Sequence, residues 1–103
     1  MSAIDLSDPL GRTICLHDHT WFGHIVKRHP DMRGMRAWAE EAILNPLRIC
    51  HSTSDPNCRV YFGDGPGQPI MMAVVADVVS GIVLTAYRSS RLKGAIEWSR
   101  PTP

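Results

Sequence analysis

The spacing of apolar residues changes from a helical repeat to a strand repeat near the middle of the chain. Trp21, Phe22, Ile25 and Val26 form an apolar stripe that predicts a helix over residues 19–28, with Asp18 placed to cap it. Pro30 interrupts this pattern. A second helix is predicted over residues 32–44, before Asn45-Pro46 stops it. Its expected inward residues are Met35, Trp38, Ala39, Ala42 and Ile43.

The second half of the chain has the patterns of strands, alternating over residues 58–62 and nearly continuous in apolar residues over 70–79. Four strands are predicted, over residues 47–51, 58–62, 70–79 and 82–88. Their short connections favour an antiparallel meander. The predicted fold class is α+β, with two N-terminal helices packed on one face of a four-stranded antiparallel meander and an extra short strand over residues 12–17. We expect one domain, 1–103, with a core of about 12–92 and looser ends at 1–10 and 93–103, the latter with a short helical turn.

Alternation along the strands predicts which side chains share a face. Ile82, Leu84 and Ala86 should meet the helices. The open face should display Arg59, Tyr61, Thr85 and Tyr87, with Arg88 and Arg91 near its edge. This face is either a half-exposed surface of good strand formers or a floor that binds an anion.

Composition narrows the class of protein. The chain has 103 residues, 44% apolar and 20% charged, which is ordinary for one globular domain. The net charge of +1 does not by itself predict binding of nucleic acid. Nine of the 11 basic residues are Arg, which is typical either of a protein with a phosphate or carboxylate partner or of a solvated surface. We expect a reducing aqueous compartment, the cytoplasm. The three cysteines form no CxxC pair, no leader is visible, and no apolar run is long enough to cross a membrane.

Histidines cluster in the first third of the chain. Four of the five lie between His17 and His29. Because neither HExxH nor CxxC accompanies them, we expect no metal or cofactor. A small metal enzyme using His17, His19 and others is the weaker alternative. Acid–base chemistry suits these residues better, because histidine titrates near neutrality. His24 shares a helix face with Lys27 and Arg28, which would attract a phosphate.

His29, next to Pro30, could instead close the helix by bonding its last carbonyls. His17 and His51 are interpreted as surface residues, and His17 and His19 as bystanders.

The order of these segments resembles a known nuclease group. The segments are Trp21-x-x-His24-Ile25-x-x-Arg28-His29-Pro30-x-Met32, Ala42-Ile43-x-Asn45-Pro46, Cys58-Arg59-Val60-Tyr61-Phe62 and Val83-Leu84-Thr85-Ala86-Tyr87. Over roughly residues 13–92 they resemble the phage- and prophage-associated branch of the barnase–EndoU–colicin–RelE (BECR fold) nucleases. Members of that group place N-terminal helices against a four-stranded antiparallel sheet.

The resemblance implies a metal-independent endoribonuclease, a toxin or phage-borne effector that cleaves tRNA or mRNA by attack of a 2′-hydroxyl on the adjacent phosphate. It implies that His24 or His29 is the base or acid, that Arg59 and Arg28 grip the phosphate, and that Thr85 and Tyr87 orient it. Tyr87 is expected to serve as a proton donor or as a stacking surface. Lys27, Tyr61, Arg88 and Arg91 are the further residues expected to bind substrate. An antitoxin or immunity protein is an expected partner. The alternative is a non-catalytic module that binds RNA or a protein.

Overall fold

Seven strands and two short helices make up the structure, a computed structural model that describes residues 2–102. The strands are β1 (Ala3–Ser7), β2 (Thr13–His17), β3 (Arg48–His51), β4 (Cys58–Gly63), β5 (Met71–Asp77), β6 (Ile82–Ser89) and β7 (Ile96–Ser99). They form one sheet in the order β1-β2-β6-β5-β4-β3-β7, curled into a half-barrel. Within residues 2–102, no helix is long and apolar enough to span a bilayer.

The predicted architecture of two helices on a four-stranded meander is therefore wrong. Strands β3 to β6 do pair antiparallel in chain order, but they are only the middle of the sheet. The β1–β2 hairpin joins β6 through a parallel pairing of Cys15 with Ile82, and β7 joins β3. The segments expected to be a loose N-terminal end and a C-terminal helical turn both contribute strands.

The N-terminal hairpin forms because Asp8 organises its turn. One carboxylate oxygen of Asp8 accepts hydrogen bonds from the backbone N–H groups of Leu10 and Arg12, both at 2.9 Å. Gly11 completes the turn with a φ of 84°, a conformation that glycine adopts readily. In β1 only Leu6 is buried, and one buried residue is too little to predict a strand from alternation.

The first helix, residues 18–28, contains a π-helical turn. It consists of α-helix Asp18–Thr20, π-helix Trp21–Ile25 and α-helix Val26–Arg28. The wider turn changes the buried face, so Trp21 and Ile25 are buried while Phe22 is 61% exposed. The inward position expected for Phe22 is wrong.

Asp18 does not cap this helix, contrary to expectation. His17 is the N-cap residue and makes no side-chain capping bond. Asp18 is the first helical residue, and its carboxylate accepts a hydrogen bond from the Arg36 guanidinium at 2.7 Å. The carboxylate thus ties the first helix to the second instead of capping its own.

The second helix, Arg36–Leu44, begins four residues later than predicted, after a 3₁₀ turn at Pro30–Met32. Trp38 is 39% exposed and not inward as expected. The helix approaches β4 closely where that strand carries Gly63, since a Cβ there would lie 2.6 Å from that of Ala42. The buried residues of the helix are Ala39, Ala42 and Ile43.

The sheet has two faces with different cores. The inner face meets the helices and carries the main core, including Ile49, Tyr61, Met72, Val74 and Ala86. The outer face carries a smaller core of Cys50, Val60, Phe62 and Ala73, with Val75 and Tyr87 packed against it.

A β-bulge alters the predicted faces of β6. Val83 pairs with Ala76 and Thr85 with Val75, so Leu84 has no direct partner. Val83 and Ala86 consequently both face inward and are buried, while Leu84 is 43% exposed. The expectation that Leu84 packs under the helices is wrong.

A charged network, which we call the clasp, joins the two ends of the sheet. Arg12, beside the β1–β2 turn, donates to Asp8 at 2.7 Å and forms a two-pronged pair with Glu97 of β7 at 2.6 and 3.1 Å. Glu97 also accepts from Arg59 at 2.9 Å, and the Tyr61 hydroxyl donates to the buried Asp8 carboxylate at 2.6 Å. The clasp therefore connects β1–β2, β4 and β7.

The clasp determines the protonation of its own members. Burial by itself would raise the pKa of Asp8, but the hydrogen bonds from Tyr61 and Arg12 outweigh it and hold that pKa below 3.8. Burial opposes ionisation of Glu97 too, yet the hydrogen bonds from Arg12 and Arg59 hold its pKa below 4.5. Burial and the hydrogen bond to Asp8 raise the pKa of Tyr61.

We expect Tyr61→Phe to lower the free energy of unfolding by about 1–2 kcal/mol, because the buried Asp8 carboxylate loses one of its donors. Urea denaturation measures this loss. Tyr87→Phe is the matched control and should change stability by less than about 0.5 kcal/mol, since the Tyr87 hydroxyl has no hydrogen-bond partner among residues 2–102. Equal losses in the two variants would contradict the role given to Tyr61.

Acid should weaken the clasp. The pKa values of Asp8 and Glu97 are lower in the folded state than in the unfolded chain, so their contribution is complete above about pH 4.5 and is lost as pH falls through the lower native values. Urea midpoints measured from about pH 6 down to about pH 3 should fall. In Glu97→Gln the fall should be smaller and start from lower stability at neutral pH. Parallel curves for the two proteins would contradict this assignment.

Candidate functional site

His29 and Tyr87 lie together at the edge of β6. Strand β2 pairs with β6 only at Ile82, so the rest of that edge has no neighbouring strand, and the first helix packs against it. At the end of this helix the ring of His29 lies 6.1 Å from that of Tyr87, centroid to centroid, at a tilt of 40°. A half-buried imidazole and a half-buried phenol, both able to transfer protons, therefore face one another.

Tyr87 also lines an open cleft of about 590 Å³ formed by the end of β6 and the segment that follows it. We call this the Tyr87 cleft. Three cations line it, Arg88, Arg91 and Lys93, together with Ser89 and Ser90. Among residues 2–102 no carboxylate lines it, so the electrostatic character of the cleft is that of an anion site.

The segment 90–95 crosses the outer face of the sheet. It connects β6 to β7, which are separated by β5, β4 and β3. Near its end, the carbonyl of Ala95 accepts a hydrogen bond from the His51 N–H at 2.8 Å. A second, smaller pocket of about 180 Å³ lies against it, with Val60, Phe62 and Val75 as its floor and Ser52 to Ser54 at its rim. Tyr87 and Lys93 line both cavities.

The catalytic set implied by the resemblance does not converge. Arg59 lies on the inner face, opposite Ala76, and its guanidinium is bound to Glu97 and to the carbonyls of Pro56 and Cys58. Thr85 lies on the outer face, two residues before Tyr87. The sheet thus separates Arg59 from Thr85.

Tyr61 is not on an open face either. It is fully buried on the inner face, where its hydroxyl is bound to Asp8. The alternation of β4 correctly predicts that Arg59 and Tyr61 share a face. That face is the inner one, which packs on the helices, and not the open face that was expected.

The remaining candidates on the first helix are more accessible. His24 is half-buried within the π turn, and Lys27 and Arg28 are exposed. Arg28 precedes His29 in the chain and is the last residue of this helix.

Arg88 has a structural role. Its guanidinium donates hydrogen bonds to the backbone carbonyls of Pro66, Ile70 and Met71, the last two at 2.8 and 3.3 Å. It therefore holds the loop before β5. None of the three cations of the cleft has a carboxylate within 4 Å among residues 2–102, and Arg91 and Lys93 are those whose side chains also make no hydrogen bond there.

Of the other histidines, His51 lines the smaller pocket, whereas His17 and His19 line neither cavity. The rings of His17 and His19 are 5.1 Å apart, and His17 Nε2 is 3.6 Å from the Cys15 Sγ atom. Over residues 2–102, no three His, Cys, Asp or Glu side chains are arranged to hold a metal ion. Burial raises the pKa of the Cys15 thiol, as it does for Cys50 and Cys58.

Comparison with protein-family models, curated proteins and solved structures finds no match.

Lys93 is the residue of this site that the sequence analysis missed. The pattern after residue 92 predicts a loose tail, and a lone lysine there carries no functional signal. One clue was available, because Lys93 precedes Gly94 and a short alternating run, Ile96 to Trp98, which is typical of a loop entering a strand.

We expect Arg88→Ala to lower the free energy of unfolding by about 2 kcal/mol, because three backbone carbonyls lose a charged donor. Hydrogen exchange should speed up in the loop of residues 64–70. Arg91→Ala, an exposed arginine in the same cleft, is the control and should leave both measurements nearly unchanged. Unaltered exchange in Arg88→Ala would show that the side chain does not hold the loop.

Proposed function

We propose that this protein is a metal-independent endoribonuclease whose acid–base pair is His29 and Tyr87. The observation that carries the proposal is the 6.1 Å approach of these two rings beside a cleft lined by Arg91 and Lys93. The sequence resemblance described above points to the same chemistry. The proposal does not depend on the four-stranded architecture, which is wrong for this chain, or on Arg59.

The residue types assign the roles. Neutral imidazole is the better proton acceptor near neutral pH, because histidine titrates near 6.5 whereas a phenol keeps its proton to about pH 10. His29 therefore removes the proton from a ribose 2′-hydroxyl, and the resulting oxygen attacks the adjacent phosphorus. The bond from phosphorus to the 5′-oxygen breaks as Tyr87 donates its proton to that oxygen. The products are a 2′,3′-cyclic phosphate and a 5′-hydroxyl.

The reaction passes through a phosphorane that carries extra negative charge. Arg91 and Lys93 line the cleft together with Tyr87, so two cations are available on the side of the proton donor. Fixed cations near developing charge contribute several kcal/mol to such a step. Proton exchange between the two rings after the reaction, directly or through water, restores the starting state.

A module that binds RNA without cleaving it is the second candidate. One observation favours it: the guanidinium of Arg59, which the resemblance implied for transition-state stabilisation, is engaged by Glu97. In both cases RNA, as tRNA or mRNA, is the proposed partner. An antitoxin or immunity protein that covers the Tyr87 cleft is proposed from the resemblance alone.

We expect His29→Ala and Tyr87→Phe each to reduce RNA cleavage about 10²- to 10⁴-fold in EDTA, because each removes one proton-transfer group. Cleavage of a labelled single-stranded RNA, with product ends identified by mass spectrometry, measures the effect. His19→Ala is the matched control, an exposed histidine outside the cleft that should retain full activity.

The two candidate functions differ in what the wild-type protein does. Cyclic phosphate ends that disappear in both variants support the nuclease. Salt-dependent binding without any cleavage would overturn the nuclease and leave the binding module. Cleavage abolished equally in His19→Ala would place the catalytic group elsewhere.

A further inference from the structure

Phe22 is a large aromatic side chain that the fold turns outward. It is 61% exposed, because the π turn buries Trp21 and Ile25 and directs Phe22 away from the core. Phe22 lines an open groove of about 400 Å³ together with Trp21, Val26, Lys27, Arg33 and Gly34. This groove lies on the first helix and is separate from the Tyr87 cleft, with which it shares no residue.

The charges of the groove are one-sided. Lys27 and Arg33 line it, and within the described part of the chain, 2–102, no carboxylate does. Both cations are exposed, and neither has a carboxylate within 4 Å among residues 2–102. The groove therefore offers an aromatic ring and two free cations to whatever binds there.

Arg36 occupies one side of the Phe22 ring. Its guanidinium carbon lies 6.0 Å from the ring centroid, within the range of a cation–π contact. Arg36 itself is held by Asp18 at 2.7 Å and Glu40 at 3.1 Å. This pairing orients the ring and leaves Arg36 neutralised, so Lys27 and Arg33 are the cations available to an anionic ligand.

We infer that Phe22, Lys27 and Arg33 form a stacking platform for one base of single-stranded RNA, outside the Tyr87 cleft. An exposed ring flanked by unpaired cations complements the two parts of a nucleotide, because the base stacks on the ring and the phosphates bind the cations. An acidic peptide would use the cations but leave the ring without a planar partner. The inference takes its ligand class from the proposed function.

The helix sets the distance between the platform and the acid–base pair. Phe22 and His29 are seven residues apart, about 10 Å along a helix axis. Stacked nucleotides advance about 3.4 Å each, so the platform holds a base about three nucleotides from the scissile phosphate. The platform should therefore affect oligonucleotides and not dinucleotides.

The test is binding of an uncleavable ten-nucleotide RNA, methylated at every 2′-oxygen and labelled for fluorescence anisotropy. Phe22→Ala should weaken binding about 5- to 150-fold, since one base–aromatic stack is worth about 1–3 kcal/mol. Phe22→Trp should restore it. Lys27→Ala and Arg33→Ala should each reduce the slope of log affinity against log salt by about one. Val79→Ala, an apolar residue that is 76% exposed in another part of the molecule, is the matched control.

The outcomes separate this inference from the proposed nuclease. If wild type cleaves RNA but Phe22→Ala binds the ten-nucleotide probe as tightly as wild type, the platform is overturned and the nuclease stands. If wild type cleaves nothing but Phe22→Ala binds the probe more weakly and Phe22→Trp does not, the platform stands and the nuclease fails. A loss that Phe22→Trp does not repair, or that Val79→Ala shares, would overturn the stacking role.

Discussion

The curled, half-barrel shape of this sheet depends on the clasp. Its members are Asp8, Arg12, Glu97, Arg59 and Tyr61. An open sheet of seven strands has two free edges that would otherwise diverge with the twist. Here the turn of the first hairpin meets the last strand through a two-pronged guanidinium–carboxylate pair. The anchor of that pair is buried, since Asp8 is only 4% exposed and is satisfied by Tyr61, Arg12 and two backbone N–H groups. A buried carboxylate with a full set of donors is specific in geometry, because the hydrogen bonds together offset the cost of burying its charge.

The clasp also explains why alternation along β4 predicts correctly which residues share a face but predicts wrongly that this face is open. Alternation along β4 placed Arg59 and Tyr61 on one face, as they are. That face is buried because Tyr61 binds Asp8, 53 residues away, and Arg59 binds Glu97, 38 residues away. Neither partner belongs to a segment with a strong periodic signal. The strands β3 to β6 are predictable because they alternate or are apolar throughout, whereas β1 has one buried residue and forms as a hairpin with β2, and β7 forms by pairing with the distant strand β3.

The candidate site was predictable in its chemistry and only partly in its geometry. His29 and Tyr87 were chosen because imidazole and phenol transfer protons, and the fold brings them together because β2 ends early and leaves the edge of β6 to a helix. The resemblance implies that Arg59 grips the phosphate and Thr85 orients it, yet the sheet separates these two residues. The exposed position of Phe22 follows from one extra residue in a helical turn, which side-chain spacing at an ideal 3.6-residue repeat does not reveal.

The crossing segment 90–95 has a thermodynamic consequence. It supplies Arg91 and Lys93 to the cleft, and it is also the only covalent route from β6 to β7, the strand that carries Glu97. A ligand that draws these two cations against Tyr87 also restrains the strand that closes the half-barrel. If an anion binds in the cleft as proposed, its binding and the pairing of β7 with the sheet would be linked equilibria, each favouring the other.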